Sequence, residues 1–129
     1  KQKLVADSLV NEEVLDSLLS IAGPDVEEFL DSLLSGFENQ LREKLSELMK
    51  ALEHNDYELA RTAAHAIKSM SANIGADTLK EKFAQVEQEA SSGILAFDKS
   101  RVDWANLKVE QFTSRARKYV NEKLVVKMV

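Results

Sequence analysis

The residues best suited to carry out chemistry are His65 and Lys68. They lie three positions apart in a segment that is predicted to be helical. Side chains at this spacing lie on the same side of a helix, so the Lys68 ammonium can reach a charged group attached to the imidazole. A water-exposed imidazole generally has a pKa of about 6.5, so a large fraction of such side chains is unprotonated and nucleophilic at neutral pH. A ring nitrogen can then attack phosphorus in line, while the protein supplies position and counter-charge.

The helix that carries His65 is predicted from Tyr57 to Asn73, with Asp56 as its N-cap and Gly75 just past its end. At about 100° per residue, His65 lies roughly 160° to 170° from the centre of the apolar stripe. We therefore expect it to face solvent. The predicted stripe consists of Leu59, Ala60, Ala63, Ile67, Met70 and Ile74. The opposite side of the helix carries Glu58, Arg61, His65, Ser69 and Ala72.

The neighbours of His65 on this side are compatible with a docking protein. Ser69 and Ala72 follow it by four and seven positions, and their small side chains leave room beside the ring. The helix phase disfavours a buried, hydrogen-bonded core histidine, but it does not distinguish a reactive histidine from an incidental surface one. That choice depends on the surrounding sequence.

The remaining elements are also helical, since apolar residues recur at spacings of three and four along most of the chain. We predict an all-α fold, an antiparallel four-helix bundle with a short additional N-terminal helix, in one domain over residues 1–129. The short helix occupies about residues 11–22 and the bundle about residues 25–127. The other predicted helices are about Glu12–Ala22 with Asn11 as its N-cap, a long helix from Asp25 through Leu52, Asp77–Ser91 with Gly93 past its end, and one beginning after Asp98 or Ser100.

The composition excludes several functional classes. The 129 residues include 44% hydrophobic and 30% charged residues, which is typical of a soluble globular domain. No cysteine is present, so disulfides, zinc thiolates and thiol nucleophiles are excluded. The net charge of -5 disfavours nucleic-acid binding, and no apolar run is long enough to span a bilayer. No spacing of acidic residues and histidine predicts a metal site.

A longer motif surrounds His65. The segment Ala64–Ala76 reads Ala-His-Ala-Ile-Lys-Ser-Met-Ser-Ala-Asn-Ile-Gly-Ala, and Leu79 follows. It resembles the histidine-containing phosphotransfer (HPt) family, in which Ala-His-x-hydrophobic-Lys-Gly leads through small residues into a Gly-Ala turn and a Leu. The resemblance extends over about residues 11–93. It implies a four-helix bundle whose exposed histidine takes a phosphoryl group from a receiver-domain aspartate and passes it to another receiver.

The resemblance also implies roles for individual residues. His65 would be the phosphoryl acceptor and Lys68 would steady the phosphoryl group, while Arg61, Ser69 and Ala72 would contact the partner. Ser69 stands where the family usually has Gly, which is expected to alter partner affinity or to add a hydroxyl near the phosphate. A polar residue on the next helix often hydrogen-bonds the histidine ring in this family. Glu87 is nearest in register, with Gln85 and Gln88 beside it; the choice among the three stays open, and each also fits a merely solvated surface.

Two other functional hypotheses compete with that of a phosphorelay intermediate. In a histidine kinase dimerisation domain, an acidic residue and soon a proline follow the histidine, but Ala66 follows it here and no proline is near. No nucleotide-binding lid is present either, so we expect no ATP-dependent kinase activity. The second alternative is a non-catalytic helical adaptor, for which amphipathic helices alone would suffice.

The resemblance further predicts the partners and the setting. We expect response-regulator receiver domains to dock over the third helix and its neighbour on the long second helix, in a transient contact. Magnesium would belong to the receiver, so we expect no cofactor on this chain. We also expect a cytoplasmic monomer. The chain begins at Lys1, which agrees with a cytoplasmic domain of a membrane-bound hybrid sensor kinase, although free-standing proteins of this kind also exist.

Overall fold

The computed structural model describes residues 9–128, with only the backbone described for 126–128, and in this range the chain forms helices and no strand. The all-α prediction is therefore confirmed. The predicted domain limits at residues 1 and 129 lie outside the described residues. The helices are α1 (Glu12–Leu19), α2 (Val26–His54), α3 (Tyr57–Ile74), α4 (Asp77–Ser91) and α5 (Lys99–Met128).

The start of α1 and both ends of α3 are set by the residues that the sequence indicated. The Asn11 side chain accepts a hydrogen bond from the Val14 amide at 3.2 Å, and Asp56 accepts one from the Leu59 amide at 3.0 Å. Each bond satisfies an amide that the first turn of a helix leaves without a partner. Gly75 ends α3 in the left-handed conformation, with φ of 85°, and it begins the tight turn into α4.

The first helix is shorter than predicted. It ends at Leu19, whereas the sequence indicated about Ala22. The amides of Ile21 and Ala22 donate to the carbonyls three residues earlier, at 3.3 Å and 3.1 Å, so the chain tightens into a turn before Gly23. Such tightening is common in the last turn of a helix, where carbonyls otherwise lack partners.

Short connections place α2, α3 and α4 side by side, and α3 packs against both of its neighbours. At about 1.5 Å per residue, α2 is roughly 43 Å long and α3 roughly 27 Å, so α3 runs beside only part of α2. The short α1 contacts α2 and α3. No helix in residues 9–128 is long and apolar enough to cross a membrane. The largest fully buried apolar side chains are Leu15, Leu34, Leu41, Leu48, Ile67, Leu79, Phe83, Val109, Phe112 and Val120.

The buried side of α3 differs in part from the predicted stripe. Ala64 and Ser71 are completely buried, although neither belongs to the stripe, while Leu59 and Met70 are only half-buried. The reason is that α3 lies between α2 and α4, so small side chains beside the stripe are covered as well. On α5, Val120 is buried and the neighbouring Tyr119 is only partly buried.

Ser71 is expected to cost stability. Its hydroxyl is buried and has no hydrogen-bond partner within residues 9–128. Burying an unpaired hydroxyl is unfavourable, and alanine is the better helix former, so Ser71→Ala should raise the free energy of unfolding by about 1 kcal/mol. Urea unfolding measures the change, with Ser35→Ala on the exposed side of α2 as the control for helix propensity alone. An equal gain in both variants would show that the Ser71 hydroxyl carries no special penalty.

Candidate functional site: His65, Glu87 and Lys68

His65 lies on the outer side of α3, where 54% of its side chain is exposed. The solvent-facing ring that the helical periodicity predicted therefore agrees with the structure. The ring leans towards α4, and its Nδ1 lies 2.9 Å from Oε2 of Glu87. The imidazole is accessible to a docking protein and is also held in place by one contact from the neighbouring helix.

Glu87 connects His65 to Lys68. Its second carboxylate oxygen, Oε1, lies 2.7 Å from the Lys68 ammonium. Only 18% of the Glu87 side chain is exposed, compared with 32% for Lys68. One carboxylate thus binds both residues that the motif singled out, and Lys68 is already engaged in an ion pair.

The carboxylate of Glu87 is favoured in its ionised form. Burial raises its pKa, but hydrogen bonds and charges from Lys68 and His65 together outweigh the burial, and the net effect is a lowered pKa. An ionised carboxylate can only accept hydrogen bonds, so the Nδ1 atom of His65 must carry the proton in their shared bond. In the neutral ring this leaves the lone pair on Nε2, so Nε2 is the ring nitrogen that is available for bonding to an electrophile.

Arg61 and Glu58 form a second ion pair on the same side of α3. The Arg61 Nη2 atom lies 2.6 Å from one Glu58 oxygen, and Nε lies 3.2 Å from the other. The hydrogen bond and the charge of Glu58 raise the pKa of Arg61, and the charge of Glu87 adds to this effect. Ser69 and Ala72 are half-exposed on the same helix.

The structure selects Glu87 among the three polar residues of α4 that the sequence left open. Gln85 and Gln88 are exposed, and the Gln85 amide lies 3.4 Å from Glu89 within its own helix. The sequence register already indicates Glu87 as the nearest of the three, since His65 lies ten residues before Gly75 and Glu87 eleven after Ala76. Antiparallel helices joined by a two-residue turn bring such nearly equidistant positions together. The contact between Glu87 and Lys68 had not been anticipated.

The ionisation of Glu87 should make stability depend on pH. A lowered pKa in the folded state means that ionised Glu87 stabilises the fold above its ordinary pKa of 4.5, and that this contribution is lost as pH falls through the lowered value. We expect wild type to exceed Glu87→Gln in free energy of unfolding at neutral pH, with the difference shrinking below pH 4.5. Urea titrations from about pH 3 to pH 7 measure this difference.

Lys68→Gln provides the matched control for this titration. It removes one of the two donors to Glu87, so the pH-dependent part of the difference should become smaller in that background. A difference that stays constant over the whole pH range would contradict the ionised bridge.

The comparisons with known proteins agree with this geometry. Residues 32–118 match the family model of the Hpt domain. The chain belongs to the Hpt family. No curated protein matches the sequence of this Hpt domain. Among solved structures, it is similar to the crystal structure of histidine-containing phosphotransfer protein B (HptB) from Pseudomonas aeruginosa PAO1. The identity is 24%, the TM-score is 0.57, and the match covers 91% of this chain and 95% of that chain.

The family membership establishes the general role, and the HptB likeness supports the bundle fold. This Hpt domain serves as a phosphotransfer intermediate in two-component signalling, and Hpt proteins pass phosphate to receiver domains. The predicted phosphorelay function is thus confirmed at the level of the family, while the roles of individual residues stay predictions.

Proposed function

We propose that His65 is the residue of this Hpt domain that accepts and returns the phosphoryl group, and that Lys68 steadies it. The supporting observation is the half-exposed His65 ring, which Glu87 holds through Nδ1 while Lys68 lies within one turn of the same helix. This arrangement offers Nε2 as a nucleophile, a cation beside it, and access for a large partner. An incidental surface histidine would not require a carboxylate that orients the ring.

The transfer needs no proton movement at the reacting nitrogen. The lone pair on Nε2 of His65 forms the bond to phosphorus as the aspartyl oxygen–phosphorus bond of the receiver breaks, and the electron pair of that bond returns to the carboxylate. The Nδ1 proton stays on the ring, in its bond to Glu87. In the reverse step the electron pair returns to Nε2, and the neutral imidazole is a good leaving group. The protein contributes position and charge.

The partner is a receiver domain that we propose docks on the exposed side of α3. Arg61, Ser69 and Ala72 lie on that helix and would contact it, together with the adjoining parts of α2 and α4. The Ser69 hydroxyl would take the place of the glycine usual in the family. Magnesium would be bound by the receiver, so this chain would need no cofactor. The acidic net charge of -5 supports a role without nucleic acid.

The same proposal covers the oligomeric state and the cellular location of the protein. A relay intermediate must release its partner quickly, which fits a monomer with a modest interface. Receiver partners and the lack of cysteine fit the cytoplasm, where the domain would act alone or as part of a membrane-bound sensor kinase.

The test is incubation of the chain with a receiver domain that has been phosphorylated by acetyl phosphate in the presence of magnesium. We expect the label to move to this chain and to survive alkali but not acid, as a phosphohistidine does. A helical adaptor would bind the receiver without acquiring label. Absence of transfer from every receiver that binds would overturn the proposed role of His65.

A further inference from the structure

The Glu87 carboxylate has a second consequence, which follows from its contact with Lys68. The ammonium lies 2.7 Å from Oε1, and the pair is only partly exposed. Lys68 therefore already forms an ion pair before any phosphoryl group arrives. Lys68 has three N–H donors on a flexible stem, and it can turn towards a new anion only by lengthening this contact. The cation that would bind the phosphoryl group is therefore not free in the resting state.

Phosphorylation would place a second anion near the same ammonium. A phosphoryl group on Nε2 of His65 lies across the ring from Nδ1, and Nδ1 is held 2.9 Å from Glu87. The carboxylate and the phosphoryl oxygens therefore lie on opposite sides of one imidazole. A Lys68 ammonium that moved to the far side of the ring would give up its 2.7 Å contact with Oε1.

We propose that Glu87 competes with the phosphoryl group for Lys68, so that it acts as a positioning residue that keeps the phosphoryl group transferable. This inference rests on the proposed acceptor role of His65. Glu87 takes part in no bond that forms or breaks. Its effect is that each phosphorylation of Nε2 must give up the pair between Lys68 and Glu87, and each discharge restores it. The site therefore holds the phosphoryl group less firmly than an unpaired lysine would.

A double-mutant cycle on Lys68 and Glu87 tests the competition. The probe is phosphoramidate, whose phosphorus–nitrogen bond breaks as the bond to Nε2 forms and ammonia leaves, so that no partner protein is needed. The ratio of phosphorylated to unmodified chain is measured at fixed phosphoramidate and ammonia by phosphate-affinity electrophoresis. The four proteins are wild type, Lys68→Gln, Glu87→Gln and the double variant.

Competition predicts that Lys68→Gln lowers this ratio more strongly when Glu87 has already been replaced. In wild type the lysine gains the phosphoryl contact but loses its carboxylate, whereas in Glu87→Gln it only gains. The coupling factor reflects the pair that is given up, and we expect it to be about three- to fivefold. Lys99→Gln breaks an exposed ion pair with Asp103 at the start of α5 and should leave the ratio unchanged in both backgrounds.

The outcomes separate the two proposals. Equal effects of Lys68→Gln in both backgrounds would overturn the competition while leaving His65 as the acceptor. A smaller effect in the Glu87→Gln background would overturn it too, because Lys68 would then need the carboxylate to act. A wild-type chain that acquires no acid-labile phosphate would instead contradict the acceptor role of His65, and the competition would fall with it.

Discussion

Replacement of His65 by Gln is expected to abolish phosphoryl transfer to this Hpt domain while leaving the fold unchanged. Glutamine has no nucleophilic ring nitrogen, so the label transferred from a phosphorylated receiver should fall to background. Because more than half of the His65 side chain is exposed, its loss removes little packing, and the free energy of unfolding should change by less than about 1 kcal/mol. The transfer assay and urea unfolding measure the two quantities independently.

His54 offers a matched control, because the chain contains two histidines. It is exposed at the end of α2, where its Nδ1 lies 2.8 Å from the carbonyl of Lys50. This contact is local to one helix, and among the described residues no carboxylate holds the His54 ring as Glu87 holds that of His65. His54→Gln should therefore retain full labelling. If His65→Gln accepted phosphate at the wild-type rate, the site assignment would be wrong. Loss of label in His54→Gln instead would place the acceptor at the end of α2.

Replacement of Gly75 by Ala is expected to be the most destabilising of the single substitutions considered. Gly75 has φ of 85°, a conformation in which a side chain costs about 1–2 kcal/mol. An added Cβ would also lie 3.0 Å from the Asn11 carbonyl oxygen and 3.2 Å from the Val14 Cβ. Since the backbone N–H of Asn11 donates a hydrogen bond to the Gly75 carbonyl at 2.8 Å, the backbone cannot easily move away.

These two effects add up to an expected loss of about 3 kcal/mol in the free energy of unfolding. Gly93→Ala separates them, because Gly93 has φ of 80° but an added Cβ there would meet nothing within 4 Å. Only the conformational cost of about 1 kcal/mol should appear in that variant. Urea unfolding of both proteins measures the difference, which reports the contact of the α3–α4 turn with Asn11 and Val14 at the start of α1. Equal losses in both variants would mean that this contact does not constrain Gly75.

The sequence by itself was sufficient for several properties that are local to one helix. The position of His65 on the outer side of α3 follows from the period of 3.6 residues, and the starts of α1 and α3 follow from Asn11 and Asp56, which cap their own first turns. The limits of α4, Asp77–Ser91, agree with the prediction for the same reason. These features depend on residues within a few positions of one another.

Tertiary structure decided everything that depends on the distance between two helices. The burial of Ala64 and Ser71 required knowing that α3 is covered on two sides. The choice of Glu87 over its neighbours, and its contact with Lys68, required the rotation of α4 and its spacing from α3, because hydrogen bonds form only within about 3 Å. A helical pattern specifies which side of one helix a residue occupies, but the packing of side chains between helices decides which of those residues meet.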